Sequence, residues 1–143
     1  MYGQLLFSAQ VIAMVFCFIP LSLTWPKPLT VMLLALLALL TLWVLVVNRL
    51  GNWSVFPKPL SNAKLVTSGP YGLVRHPMYS TMLLFGLTCV IHNQTLTSVG
   101  SLLALGVILR MKAGYEEQFL LEKFEEYPGY MRRVSKRFIP GVF

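Results

Sequence analysis

The chain has 143 residues, 56% hydrophobic and only 12% charged, with a mean hydropathy of +0.67. Its long uncharged runs place it among integral membrane proteins, as a single domain, and argue against a water-soluble enzyme core. The formal charge of +7 does not point to nucleic acid, because the basic residues cluster between and after the apolar runs.

Residues 5–23 are apolar apart from Ser8, Gln10 and Ser22, and Trp25-Pro26-Lys27-Pro28 then breaks the helix at a membrane interface. This first span lacks a basic leader and is followed at once by a second, so it is expected to stay in the mature protein. Residues 29–47, with Thr30 and Thr41 as their only hydroxyls, form the second span, ended by Asn48-Arg49. Residues 48–77 change to Gly, Asn, Ser, Pro, Lys and Arg, a loop far longer than a bundle connection needs. Residues 79–91 and 96–109 read as a helical hairpin around His92-Asn93-Gln94-Thr95, with His92 as an interfacial loop residue. Each arm covers roughly 20 Å, short for a bilayer. Residues 113–126 contain good helix formers and no proline, so the fourth span is expected to continue out of the membrane until Pro128-Gly129 stops it. Cys17 and Cys89 lie in apolar stretches, as small buried hydrophobes do.

The expected fold is all-α: four transmembrane helices (1–47 and the 78–109 hairpin) under a cap formed by the 48–77 loop and the 110–143 helix and tail. Arg49, Lys58, Lys64 and Arg75 in the loop and seven basic residues in the tail face only Lys27 on the other side. That bias puts both termini and the cap in the cytoplasm.

Two patches carry chemistry. In Arg75-His76-Pro77, proline suits the first turn of a helix and excludes helical geometry before it, so His76 is the expected N-cap. Arg75, His76 and free helix N–H groups then suit an anionic group, although Arg75 could equally snorkel to lipid phosphate while His76 merely caps. In Glu116-Glu117, Glu116 shares a stripe with Leu120, Phe124 and Tyr127 and is the lone acid on an apolar face. Its candidate partners are Arg75, His76, Lys112 one turn back or a cationic ligand; the plain alternative is a surface pair with Lys112. No glycine-rich phosphate loop, metal-ligand spacing or nucleophile with a visible base occurs.

Together, Gly69-Pro70-Tyr71, Arg75-His76-Pro77-Met78-Tyr79, Arg110, Glu116-Glu117, Phe124, Tyr127, Tyr130 and Arg137-Phe138-Ile139-Pro140 resemble the C-terminal signature of the isoprenylcysteine carboxyl methyltransferases and their phospholipid N-methyltransferase relatives. The resemblance covers about half the chain. Ser80-Thr81 and Glu125 stand where members often carry glycine. The resemblance implies a small polytopic membrane enzyme that binds S-adenosylmethionine at the cytoplasmic face. It implies a cofactor enclosed by Pro70, Tyr71, Val74, His76, Pro77, Tyr79, Tyr115 and the Glu116-Glu117 pair, with Arg75 and both glutamates at the chemistry. Arg110, Tyr127 and Tyr130 would then meet a lipid-like or prenylated methyl acceptor.

A carboxylate acceptor needs no base, whereas an amine acceptor must lose a proton, which Glu116 or Glu117 could take if its pKa were raised. Two other readings share the pattern. A sterol-type lipid reductase would hold a nicotinamide cofactor in the same pocket, and a non-catalytic membrane module would use Glu and Arg only to clasp loop to tail.

Overall fold

The computed structural model describes residues 2–19, 26–48 and 63–141. Among them are five α-helices and no strand: α1 (Tyr2–Phe18), α2 (Pro28–Asn48), α3 (Pro77–Asn93), α4 (Leu96–Lys123) and α5 (Tyr127–Arg133). The breaks expected around Trp25 and across most of the 48–77 loop lie outside the described residues.

Two helices, α2 and α4, are long and apolar enough to cross a membrane. Around α2, Leu34, Leu36, Leu39, Leu42 and Val46 all face outward, as do Leu5, Ile12, Val15 and Phe16 on α1. A helix apolar on every side has no water-facing stripe to present, and lipid is the solvent that such a surface fits. The protein is therefore a membrane protein.

α1 lies along α4 and touches α3, α2 lies on α3, and α3 and α4 form the expected hairpin. Its turn is fixed locally. Gln94 takes a left-handed conformation (φ 53°) and donates its N–H to Val90 O at 2.9 Å. Thr95 then caps α4 by accepting from Ser98 N at 3.2 Å. Gly86 lets the three helices close together, since a Cβ there would come within 2.8 Å of Leu102 Cδ1 and 3.6 Å of Cys17 Sγ. Cys17 and Cys89 are buried free thiols.

Several boundaries differ from the expectation: α1 ends at Phe18, and α3 runs on through His92 and Asn93, so His92 is a helical residue of its last turn and not part of the hairpin loop. α4 does continue past Leu109, but it ends at Lys123, where Phe124 swings to φ −121°, ψ 110°. Pro128 does not stop a helix; it lies in the first turn of α5. That position suits it, because a first-turn N–H has no intrahelical partner to lose and φ is already helical.

Candidate functional site

The site is a meeting of three chain segments at the start of α3. Residues 69–72 form a 3₁₀ turn on which Leu73 and Val74 both close, each donating to Pro70 O at 3.2 Å. Gly69 is required there: its φ is +58°, and a Cβ would press to 3.0 Å against Val47 Cγ2 on α2. The tail then returns alongside. Arg75 N donates to Lys136 O and His76 N to Arg137 O, both at 2.9 Å, and Ser80 Oγ donates to Phe138 O at 2.6 Å. His76 is the N-cap of α3 and Pro77 follows it, as the sequence predicts. The backbone donors ahead of the helix are nevertheless spent on the tail, so this N-terminus is not the open anion site that the spacing suggested.

The two sequence patches do converge. Glu117 is buried, with its side chain 5% exposed, and receives Arg75 Nε at 2.9 Å, His76 Nε2 at 3.2 Å and Arg137 Nη2 at 2.6 Å. Arg75 also donates from Nη1 to Val134 O at 2.7 Å. Glu116, 19% exposed, accepts from the Tyr79 hydroxyl and has His76 Nδ1 3.6 Å away. The imidazole of His76 stacks on the Tyr79 ring, centroids 5.3 Å apart. The division of labour within the pair is therefore the reverse of the helical-stripe expectation. Glu117 is the deeply paired acid, and Glu116 is the one that keeps an opening to the outside.

The charge states follow from this geometry. The apolar part of α4 ends at Leu109, so Glu117 lies beyond it. Burial alone would raise the Glu117 carboxyl, but hydrogen bonds from His76, Arg137 and Arg75 outweigh it and hold the pKa down at about 2. Glu117 is thus an anchored anion and no proton acceptor, which removes it as the base for an amine acceptor. For His76, burial pulls the pKa down, but hydrogen bonds to Glu116 and Glu117 leave it raised above the ordinary value. Burial also raises Tyr71 and pushes Tyr130 up to about 12, so both remain neutral phenols.

The remaining expected residues fall into two groups. Pro70, Val74 and Pro77 are buried in the wall beside His76. Tyr130 is buried and donates to Tyr71 O at 2.7 Å, tying α5 to the 3₁₀ turn. Tyr127 is 1% exposed, its hydroxyl has no hydrogen-bond partner, and it lies in the field of Glu117, Arg75, Tyr130 and Glu116. Tyr115 packs edge-on against Tyr2 and Phe119, with centroids 5.1 and 5.0 Å away, and Arg110 is exposed on α4. Lys112 is not a surface partner for Glu116; it is buried and donates to Gln10 Oε1 on α1 at 2.9 Å.

Arg137 and Ser80 were missed as site residues. Arg137 stood inside the quoted motif, but nothing in its local spacing shows that the tail doubles back to α3. Ser80 stands near a position where relatives often have glycine, and its hydroxyl serves to hold the tail.

An S-adenosylmethionine molecule carries an ammonium, a carboxylate, ribose hydroxyls and a sulfonium. The donor set fits such a group: a partly open carboxylate at Glu116, aromatic rings at Tyr79 and Tyr71, and an orphaned buried hydroxyl at Tyr127.

The cobalt-zinc-cadmium resistance protein CzcN of Cupriavidus metallidurans is 37% identical over 120 residues, 80% of this chain and 51% of the relative. The chain thus spans about half the length of that curated relative. The family profile described as phospholipid methyltransferase matches residues 44–127, a stretch that runs from the end of α2 through the 3₁₀ turn and the Arg-His and Glu-Glu patches to Tyr127. The chain belongs to the phospholipid methyltransferase family.

Proposed function

We propose that this protein transfers a methyl group from S-adenosylmethionine to a lipid-like or prenylated acceptor at the cytoplasmic face of a membrane. The observation that carries the proposal is the convergence of the Arg75-His76 segment and the Glu116-Glu117 pair, within the family's matched region, around a half-open carboxylate and an unpartnered buried hydroxyl. When bound, the cofactor supplies an electrophilic methyl on a positively charged sulfur.

The chain's own residues would bind and orient. Glu116, with Tyr71 and Tyr79, would receive the cationic or hydroxyl groups of the cofactor, and Tyr127 would satisfy its hydroxyl on a polar edge. Arg75, Glu117 and Arg137 act as positioning residues, because they point at one another and fix where His76 and Glu116 stand. Pro70, Val74 and Pro77, which are buried, would exclude water from that side. Orientation and water exclusion are the main contributions available to a site without a covalent nucleophile.

The same reading assigns four membrane crossings, α1 to α4, with both termini and the site on the side rich in Lys and Arg. At 17 residues, α1 and α3 reach roughly 25 Å each, less than the hydrocarbon thickness, so both would need flanking residues or local thinning.

A second reading has an observation of its own. The Arg75–Glu117–Arg137 knot is what a purely structural clasp would contain. The deciding experiment incubates the purified, detergent-solubilised chain with methyl-labelled S-adenosylmethionine and membrane lipid extract. Label transferred to lipid, and lost in Glu116→Gln while folding is retained, supports the transferase. Failure of the folded wild type to transfer the methyl group or bind the cofactor supports the clasp; binding of NADPH in its place would move the assignment to a lipid reductase.

A further inference from the structure

From Tyr127 onward the tail carries Arg132, Arg133, Lys136 and Arg137 and no acidic residue. Arg137 is spent on Glu117. α5 turns Tyr127 and Tyr130 inward, with Val134 just beyond its end, and this leaves Arg132 and Arg133 exposed and Lys136 half-buried. Among the described residues no carboxylate pairs with these three. Acids are close in sequence but held elsewhere. Glu122, Glu125 and Glu126 are exposed at and just past the end of α4, about 20 Å beyond Leu109 along a straight helix.

The return of the tail sets its height against the membrane. α3 starts at Pro77, so its first turn marks the membrane edge. Arg75 and His76 donate their N–H groups to the carbonyls of Lys136 and Arg137, and Ser80 Oγ holds Phe138 O. Lys136 is therefore level with that edge, and Arg133, three residues back, lies at most about 10 Å from it. Phe138 is buried, but Ile139 beside it is 49% exposed, and Leu73, two residues before Arg75, is 55% exposed. Exposed apolar side chains level with the membrane edge, next to unpaired basic ones, match the layering of acyl chains and headgroups. The acids at the end of α4 are at the opposite, outer end of the cap, away from an anionic surface.

We propose that Arg132, Arg133 and Lys136, with Ile139 as an apolar anchor, bind the headgroups of anionic phospholipids in the leaflet next to the site, and that this contact holds the tail on α3. The inference goes beyond the transferase reading and uses only its placement of the site at a membrane face. The segment that meets the lipid also delivers Arg137 to Glu117 and accepts the Arg75 and His76 N–H groups. The charge of the membrane thus sets how firmly the site is closed on that side.

The experiment places the whole chain in nanodiscs of phosphatidylcholine alone and of phosphatidylcholine mixed with phosphatidylglycerol, without cofactor, and follows hydrogen exchange of the Arg75 and His76 amides. Both amides are bonded to tail carbonyls, so their exchange reports how often the tail lifts. In the wild type the anionic bilayer is expected to slow exchange at least about tenfold, and added sodium chloride should erase the difference. The triple variant Arg132→Gln, Arg133→Gln, Lys136→Gln should exchange equally in both bilayers, at the wild-type rate in phosphatidylcholine. Ile139→Ser should lose part of the effect. Equal wild-type exchange in the two bilayers overturns the proposal, and that result does not depend on any variant folding. So does a difference that survives the triple substitution, since the lipid contact would then lie elsewhere. If inorganic phosphate slows exchange in pure phosphatidylcholine as far as phosphatidylglycerol does, a soluble anion is the occupant and the lipid assignment falls. No outcome involves the cofactor or a methyl acceptor, so the transferase reading stands or falls separately.

Discussion

The first two helices and the C-terminal half of the chain are held together by different physics. α1 and α2 show large apolar side chains on most of their surface, and Gln10 of α1 reaches the interior to meet Lys112 and the Met82 thioether. From residue 69 to 138, Arg75, His76, Glu117, Arg137 and the Val134 carbonyl form one network, buried except at Arg137, over three separate stretches of chain. In the first region lipid supplies the apolar partner, so many positions are interchangeable as long as they stay apolar. In the second, each polar group depends on a named partner, and removing one leaves another unpaired.

The sharpest way to break this contrast is Glu117→Gln. It leaves Arg75 buried without its anion and frees Arg137, which is itself 28% exposed on its side chain and so recovers solvent. A loss of about 3 kcal/mol is expected. It should appear as a large drop in the unfolding temperature in detergent, with early proteolysis of the tail.

Acidity sharpens the contrast without mutation. The Glu117 pKa is depressed from its ordinary value of 4.5 to about 2, so its contribution is present above pH 4.5 and is lost as pH falls toward 2. The His76 pKa is raised from 6.5, so its contribution is complete below 6.5 and is lost as pH rises through the folded-state value. Stability should therefore peak between these ordinary values and decline on both sides. His76→Asn should flatten the alkaline decline and shrink the acid one, which Arg137 and Arg75 still sustain in part. A thermal unfolding series across pH checks both limbs.

Smaller effects follow. Tyr79→Phe keeps the ring under Lys112 and beside His76 but removes the hydroxyl from Glu116, for a loss of about 1 kcal/mol. It should weaken cofactor binding severalfold, read by calorimetry. Leu39→Ala, at a position 66% exposed on α2, should change stability by no more than about 0.5 kcal/mol.

The helices were readable because each rule involved was local. Apolar runs marked α1 and α2, Pro77 marked the start of α3, and His92-Asn93-Gln94-Thr95 marked the hairpin turn, of which only Gln94 and Thr95 lie outside the helices. The meeting of Arg75-His76 with the Glu pair was also anticipated, since a buried acid needs a cation. Which glutamate goes deep was not. The stripe from Glu116 through Leu120 and Phe124 to Tyr127 assumes one straight helix, and the chain leaves helical geometry at Phe124, so that stripe is cut. Lys112 was one of several candidate partners for Glu116, because spacing along one helix says nothing about a second helix laid over it. The tail's return to the start of α3, which brings Arg137 onto Glu117, is a contact across 20 residues that no local spacing encodes.

The most direct measurement of the central claim is equilibrium binding of S-adenosylmethionine to the purified chain in detergent, wild type beside Glu116→Gln and Tyr127→Phe, with folding checked in each. Saturable binding by the wild type, weakened about tenfold or more in Glu116→Gln and less in Tyr127→Phe, is the expected result. A folded wild type that does not bind the cofactor, or binding that is indifferent to Glu116→Gln, would contradict a pocket at this junction.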